Sequence, residues 1–430
     1  MTGFYFQKHI SMKKCLLFFS IVLCFVIRTN SQTITSVTDG NFYMPTTWDC
    51  SCLPLPTYTI NVNHNVVLDN DFALNGGSLT IGTNGILREN VTGRYLTMAT
   101  GTIVNHGKIK VSRVGFYGGD FTNLDSCLFY SVFYSGAYVN NMGSITEVDS
   151  LFIESYFYND AAGSIAASKV SVNDTLENNG VLNITDLLNL HVFYNNNVAN
   201  FHNFYSNNVA ENDDIFTYND FSNHGTFENY GSMHGNDDAS NHAYFYNDPT
   251  ASFIVENDFS NIDSVNHLAL FENDGAVYVA GNFYNRDSIT GDGGHICVGQ
   301  ASTNAGVMTG PFDFCDLANG GPPDFNTGTI GSDVTYCQNS CAEEIGKNEL
   351  SLQHLDVYPN PTEDNLYFEF AVTPQNASII ITDLLGNSVF ALSDINTKMV
   401  AFEKGNLPAG LYIYQVKTDS KLFSGKILLQ

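Results

Sequence analysis

The sequence predicts an all-β protein: a parallel β-solenoid of the right-handed β-helix kind, followed by a small C-terminal β-sandwich. Three observations carry that expectation. From about residue 104 to 296 one phrase recurs: a large apolar residue, any residue, then Asn, often with Gly close behind. Apolar residues alternate over two to five positions, and no long stretch shows the 3.6-residue period of a helix. After Glu349 the composition shifts to longer alternating strands divided by turn residues.

The 430 residues, 43% of them hydrophobic, are enough for two or more domains with real cores. Residues 1–31 read as a secretory signal. Met12-Lys13-Lys14 is a basic start, Cys15 to Ile27 is an apolar core too short for a stable span, and Thr29 and Ser31 set up a cut before Gln32. A lipoprotein signal at Cys24 is disfavoured by Leu23, which stands where a small residue is required. No other stretch is apolar for long enough to cross a bilayer as a helix. Loss of this leader removes Lys8, Lys13, Lys14 and Arg28 and no acid, taking the formal net charge from −27 to about −31. Such a chain repels nucleic acid and anionic lipid, so neither is expected as a partner.

Residues 32–100 read as an N-terminal cap and the first coils. Trp48-Asp49-Cys50-Ser51-Cys52-Leu53-Pro54 leads into Tyr58 to Val62, Val66 to Leu68 and Ser78 to Ile81. An open solenoid end needs covering, and this segment stands where the cover belongs. Residues 101–296 are the repeats proper, as in Val104-Asn105-His106-Gly107, Leu176-Glu177-Asn178-Asn179-Gly180 and Phe271-Glu272-Asn273-Asp274-Gly275. Asn and Gly suit tight turns. Asn at matching positions of successive coils is expected to form an amide ladder, with Phe and Tyr as core columns. The competing arrangement is an antiparallel sandwich. Residues 297–345, with Pro311, Pro322-Pro323 and little strand pattern, read as a loop-rich closing cap and linker.

Seven cysteines fall after the leader: Cys50, Cys52, Cys127, Cys297, Cys315, Cys337 and Cys341. Outside the cytoplasm they oxidise, and structural disulfides are preferred to zinc at Cys50 and Cys52, which lack a second nearby pair of ligands. Connectivity is not readable from sequence. Cys297/Cys315 and Cys337/Cys341 are the local pairs to consider first, and Cys127 is the most isolated thiol.

The tail, 349–430, carries Val357-Tyr358-Pro359-Asn360-Pro361-Thr362, then Leu366 to Phe370, Ser378 to Asp383, Leu384-Leu385-Gly386-Asn387, Leu407 to Tyr414 and Gly425 to Gln430. These motifs, in this order, resemble the type A C-terminal sorting domain of type IX secretion in Bacteroidetes, although the last residues are less basic than in many members. The resemblance points to Tyr358, Pro359, Asn360, Pro361, Asp383, Gly386, Pro408, Gly410, Tyr412 and Lys426 as sorting-motif residues. It implies export, engagement of the type IX machinery, removal of the tail, and release or attachment to surface lipopolysaccharide on the outer face of the outer membrane. The entrance segment, with its Trp, Cys-x-Cys and Pro, also resembles the N-terminal part of many Bacteroidetes surface β-helix proteins.

Chemistry is harder to find. Acids recur at Asp213-Asp214, Asp237-Asp238, Asp258 and Asp274, but the only Lys or Arg between Lys169 and Lys347 is Arg286. Asp in a turn needs no catalytic explanation. Histidines such as His106, His202, His224, His234, His242 and His267 lack metal-site spacing, and no nucleophile elbow appears. No catalytic or metal residue is therefore assigned and no cofactor is expected, calcium being a candidate stabilising ion only. The leading expectation is a non-enzymatic surface or secreted protein for adhesion, glycan contact or surface structure. The alternative is a polysaccharide lyase or glycoside hydrolase on the same scaffold, using the acids and Arg286.

Overall fold

The computed structural model describes residues 32–263, 268–339 and 341, and in the C-terminal region 355–362, 364–370, 373–374, 377–383, 388–405, 407–418 and 422–430. The expected leader lies outside the described residues. The chain divides into two compact units, residues 1–216 and 217–430. The described residues of both are β-structure, apart from turns and one 3-10 turn, Pro45–Thr47.

In the first unit short strands stack in parallel on the equivalent strands one coil before and one coil after. Thr175–Asn178 pairs with Phe157–Asn159 on one side and Val192–Asn195 on the other, with Asn159, Asn178 and Asn195 in register. Alternation follows from the pleat, which turns every second side chain inward. In one coil Leu182, Ile184, Leu187, Asn189, Phe193 and Asn195 are all buried while their neighbours face out. The inward aromatic residues contact across coils, with ring centroids 4.8 Å apart at Phe204–Phe216 and 5.7 Å apart at Phe193–Phe204.

The expected amide ladder is present. Asn105, Asn123, Asn141, Asn159, Asn178, Asn195 and Asn212 are fully buried, each Nδ2 donating to the next residue's Oδ1 at 2.7–2.8 Å. Nδ2 of Asn178 also donates to the carbonyls of Gly180 and Val198, and its Oδ1 accepts the Gly180 amide at 3.2 Å. That last bond needs only a backbone amide, which His191 and Ala243 also supply to their Asn, so the frequent Gly at this position answers to space. The backbone there comes so close to the coil below that a Cβ on Gly180 would lie 2.2 Å from the Gly163 carbonyl oxygen. The ladder starts abruptly, because Ile81 occupies the register position next to Asn105.

Trp48 is buried, its Nε1 donating to the Phe42 carbonyl at 2.8 Å, and Cys50 is bonded to Cys52. Among the described residues Cys127 is the free thiol, sandwiched in register between Ile109 and Ile145, where burial pushes its pKa well up. It behaves as a small core hydrophobe.

The second unit repeats the scheme with two ladders. One runs Asn223, Asn241, Asn261, Asn285, Asn304, Asn326; the other runs Asn229, Asn247, Asn273. Rungs here are 18 to 26 residues apart, because extra residues enter the turns and leave the strands unchanged. Tyrosine departs from the expectation of core columns. Most tyrosines face outward, since a buried phenol must find a partner for its hydroxyl. Tyr218 is the fully buried exception, and Gly235 makes room for it: a Cβ there would lie 2.3 Å from the Tyr218 ring.

The stretch read as a loop-rich cap keeps coiling. His295–Val298, Asp313–Asp316 and Thr335–Tyr336 are parallel neighbours, as are Ser302–Asn304 and Phe325–Asn326. Strands of two to four residues divided by Pro and Gly turns are too short to show a period in sequence. The local cysteine pairs are also corrected: Cys297 bonds Cys341 and Cys315 bonds Cys337. Cys297 and Cys315 are register partners on adjacent parallel strands, so each instead crosses to the segment that follows the last coil.

From residue 355 the strands pair antiparallel, with one parallel bridge from Thr362 to Leu429. Leu355–Tyr358, Asn365–Phe370 and Met399–Glu403 form one sheet, and Ala377–Thr382, Ser388–Ile395, Gly410–Lys417 and Leu422–Leu429 form another. Their inner faces share a core that includes Leu366, Phe368, Ile379, Ile381 and Val416.

Asn178→Ala orphans its neighbours' amide groups, so it is expected to cost about 2–3 kcal/mol at roughly 1–3 kcal/mol per unsatisfied buried group; Asn207→Ala, in an exposed turn, should change stability by less than about 0.5 kcal/mol. Urea unfolding of the two variants checks both. Peptide mapping without reduction should recover Cys297 with Cys341 and Cys315 with Cys337, and recovery of the local pairs would refute the described closure.

Candidate functional site

Because inward positions are taken by the core, the residues free to meet a ligand are the outward ones, and these also line up coil upon coil. In the first unit one register line reads Gly115, Tyr134, Phe152, Ser171, Leu188, Tyr205. The line beside it reads Arg113, Val132, Ser150, Lys169, Asp186, Asn203. An apolar row thus runs along a flat sheet face beside a largely polar one. Phe152 and Leu188 are 38% and 37% exposed, on one line with Tyr134 and Tyr205. Around Phe152, Leu188 and Tyr205 lies a hollow of about 480 Å³, edged by Lys169, Asp186 and Asn203. Asn203 Nδ2 donates to Asp186 Oδ1 at 2.7 Å, which holds both polar groups at its rim.

Further along the same face a cleft of about 290 Å³ is formed by Tyr95, Arg113, Tyr117 and Tyr134. The Arg113 guanidinium stands 5.0 Å from the Tyr95 ring centre and donates from Nη1 to the Tyr95 hydroxyl at 2.6 Å. Tyr117, 61% exposed, packs on Tyr134 with centroids 5.2 Å apart. Its ring lies over Gly115, where a Cβ would meet the phenol at 3.0 Å. The missing side chain is what lets Tyr117 fold down onto the strand. Sequence reasoning anticipated exposed aromatic residues on a solenoid face, but not which ones.

Other outward lines mix Tyr with Glu. Tyr138 and Tyr156 stack with rings 5.7 Å apart, and the Tyr156 hydroxyl donates to Glu177. Tyr244 donates to Glu272 at 2.9 Å. Partial burial and neighbouring carboxylates hold these phenols protonated: Tyr156 and Tyr244 are pushed far up, and Tyr246, near Asp274 and Asp248, up to about 12.

The acids singled out in the sequence stand at turns. Asp213 follows its ladder Asn, Asn257 Nδ2 donates to both Asp237 and Asp238, and Asp258 accepts from the Asn282 backbone and side chain. Asp274 accepts the Asp292 amide at 2.6 Å. Arg286 also occupies a turn, its amide donating to the Asn261 carbonyl, and makes no ion pair among the described residues. His224 and His242 stack at 4.3 Å, and burial lowers the His224 pKa, with His242 adding to the effect. His234 meets Glu256 at 2.9 Å, and His267 lies outside the described residues. Among the described residues no group of three or more His, Cys, Asp or Glu is placed to hold a metal ion.

In the tail the motif residues clasp the last strand. Asn360 Nδ2 donates to the Lys426 carbonyl at 2.7 Å, and its Oδ1 accepts the Leu428 amide at 2.9 Å. Pro359 and Pro361 flank it, and Thr362 continues the pairing with Leu428 and Gln430. Tyr358 donates to Glu369 at 2.5 Å, which with Lys398 at 3.6 Å holds that carboxyl below its usual range. Tyr412, buried, donates back to the Pro408 carbonyl at 3.0 Å, two residues before Gly410 opens its strand. Asp383 directly follows the strand Ala377–Thr382, away from that clasp in sequence, and Gly386 lies outside the described residues.

Residues 356–430 match the family described as Secretion system C-terminal sorting domain, which marks a type IX secretion signal and implies export of the chain. No curated protein matches the chain. Among solved structures it is similar to a DUF3244 family protein with an immunoglobulin-like β-sandwich fold from Bacteroides vulgatus ATCC 8482. That likeness has 19% identity and a TM-score of 0.16, and covers 18% of this chain and 96% of that one. Among the described residues no helix is long and apolar enough to cross a membrane.

The raised tyrosines predict a pH dependence. A phenol that keeps its proton in the folded chain after the unfolded chain has lost it makes stability fall with rising pH. Stability is therefore expected to be full below about pH 10, the ordinary tyrosine value, and to decline toward the Tyr246 value of about 12. Phenolate absorbance and thermal midpoints recorded across that range check it.

Proposed function

We propose that this chain is an exported, non-enzymatic solenoid, released or held at the cell surface, that contacts extracellular glycan through the outward apolar row of its first unit. The observation that carries the reading is the row Tyr134, Phe152, Ser171, Leu188 and Tyr205, two apolar pairs either side of one serine, held on a rigid sheet beside Ser150, Asp186 and Asn203. Sugar rings present C–H faces that stack on aromatic and aliphatic side chains, and hydroxyls that bond to amides, carboxylates and serines. Successive coils place side chains about 4.8 Å apart along the row, a spacing comparable to one pyranose ring. Hydrogen-bonded coils cannot splay or collapse, so the row is organised before any ligand arrives, which lowers the entropic cost of binding. Export by the tail brings such a face to where polysaccharide is met.

Retention of the full chain on insoluble polysaccharides tests the reading. Tyr134→Ala with Phe152→Ala is expected to weaken retention about tenfold, the loss of two stacking contacts of roughly 0.5–1.5 kcal/mol each. Tyr138→Ala, on a different register line, should leave it unchanged. Unaltered retention of the double variant would sink the proposal.

A further inference from the structure

Basic residues are unevenly placed in this acidic chain. Between residues 32 and 339 the Lys and Arg are Arg88, Arg94, Lys108, Lys110, Arg113, Lys169 and Arg286, so five of seven fall within 88–113. That stretch holds a single acid, Glu89, whose carboxylate is already taken by the Ser112 hydroxyl and the Arg94 backbone amide. Parallel stacking draws the island together. Arg88 and Lys110 are register partners on adjacent strands, and the Arg113 amide donates to the Arg94 carbonyl. None of these cations has a carboxylate partner among the described residues, and Arg94 Nε is a solvent-shielded donor with no hydrogen-bond partner. Arg113 is exposed in the aromatic cleft with Tyr95, Tyr117 and Tyr134.

We propose that this cleft selects an acidic polysaccharide, one whose pyranose rings carry carboxylate or sulfate groups. The proposal rests on the glycan reading above and names the class of glycan. The ring of the sugar lies against Tyr117 and Tyr134, while its oxyanion meets the guanidinium of Arg113, whose planar fork matches two oxygens at once. The hydrogen bond and ring contact to Tyr95 hold that fork in place before binding. Charge complementarity points to this occupant. A chain of net charge −27 repels polyanions as a whole, yet the Debye length at physiological salt is about 8 Å, so a local island governs what happens at its own cleft. An apolar or neutral ligand has no use for five cations that lack a carboxylate partner, gathered in a stretch whose single acid is already engaged.

The test uses the full chain and three polymers sharing one backbone: hydroxyethylcellulose, carboxymethylcellulose and cellulose sulfate, compared by affinity electrophoresis. The wild-type chain is expected to bind at least one anionic polymer about tenfold more tightly than the neutral one, with the preference falling as salt rises. Arg113→Gln should remove that preference, bringing the anionic polymers down to the affinity of the neutral one, with the thermal midpoint unchanged. Tyr117→Ala should weaken binding to all three. Preference for cellulose sulfate alone assigns the site to sulfate esters, and preference for carboxymethylcellulose alone assigns it to uronate-type carboxylates. Equal binding of the three polymers, insensitive to Arg113→Gln, overturns this inference and leaves the glycan reading standing. An equal loss with Arg286→Gln, in the second unit, also overturns it, because the attraction is then diffuse charge. No binding of any polymer overturns both.

Discussion

The interaction on which the rest of the solenoid depends is the buried amide bond from one asparagine to the next. Parallel strands satisfy their own backbone through the ladder, but each coil must also turn, and a turn leaves backbone groups facing the core. A buried polar group without a partner costs about 1–3 kcal/mol, so turns of this kind, repeated coil after coil, would not persist unaided. Asn meets the need with both ends of one side chain. Its carbonyl holds an amide two residues on, and its amino group reaches the next Asn and a carbonyl of the next coil. Aspartate would place like charges in line within the core, and leucine would leave the turn carbonyls unpaired.

That constraint explains where each residue type goes. Once the strand ends are committed to Asn, the remaining inward positions need apolar volume without polar atoms, so Phe, Ile, Leu and Val fill them and Tyr is sorted outward. A side chain facing out then stands in register with one from the coil on either side. A chemical preference present once in a strand becomes a line of groups, which is how a scaffold of small repeats presents extended rows such as Tyr134, Phe152, Leu188 and Tyr205.

Toward the last coils one ladder continues to Asn326, while the other gives way to other devices after Asn273. Gly291 follows Asn273 in register, and a Cβ there would meet the Asn273 carbonyl oxygen at 2.0 Å. Nearby the core accepts two buried acids. Asp313 takes Thr335, Gln338 and Asn339 as donors, while Asp316 takes Ser302, Ala318 and Asn319. Both carboxylates are surrounded by donors, which is the condition for burying such a group. Two disulfides reach from these strands to the segment beyond Tyr336. Closing loops of 22 and 44 residues stabilises that end by roughly 3–4 kcal/mol each in the chain-entropy account.

The amino-acid sequence by itself determined the all-β class, the Asn ladder, the division into solenoid and sandwich, and the sorting tail. Each of these is written in a local repeat or motif: apolar-x-Asn sets the pleat and the turn together, and Tyr358 to Thr362 marks the tail. Tertiary structure alone decided the cysteine partners, the coils hidden in 297–339, and the rows on the outer face. The physical reason is shared. Cys297 and Cys341, or Tyr134 and Phe152, become neighbours only through stacking register, and register depends on how many residues each turn absorbs. Rung spacing that ranges from 17 to 26 residues erases that register from the linear sequence. Inward residues remain legible because burial restricts them to a few types. Outward residues face water under no such restriction, so their alignment into a binding surface appears only once the coils are stacked.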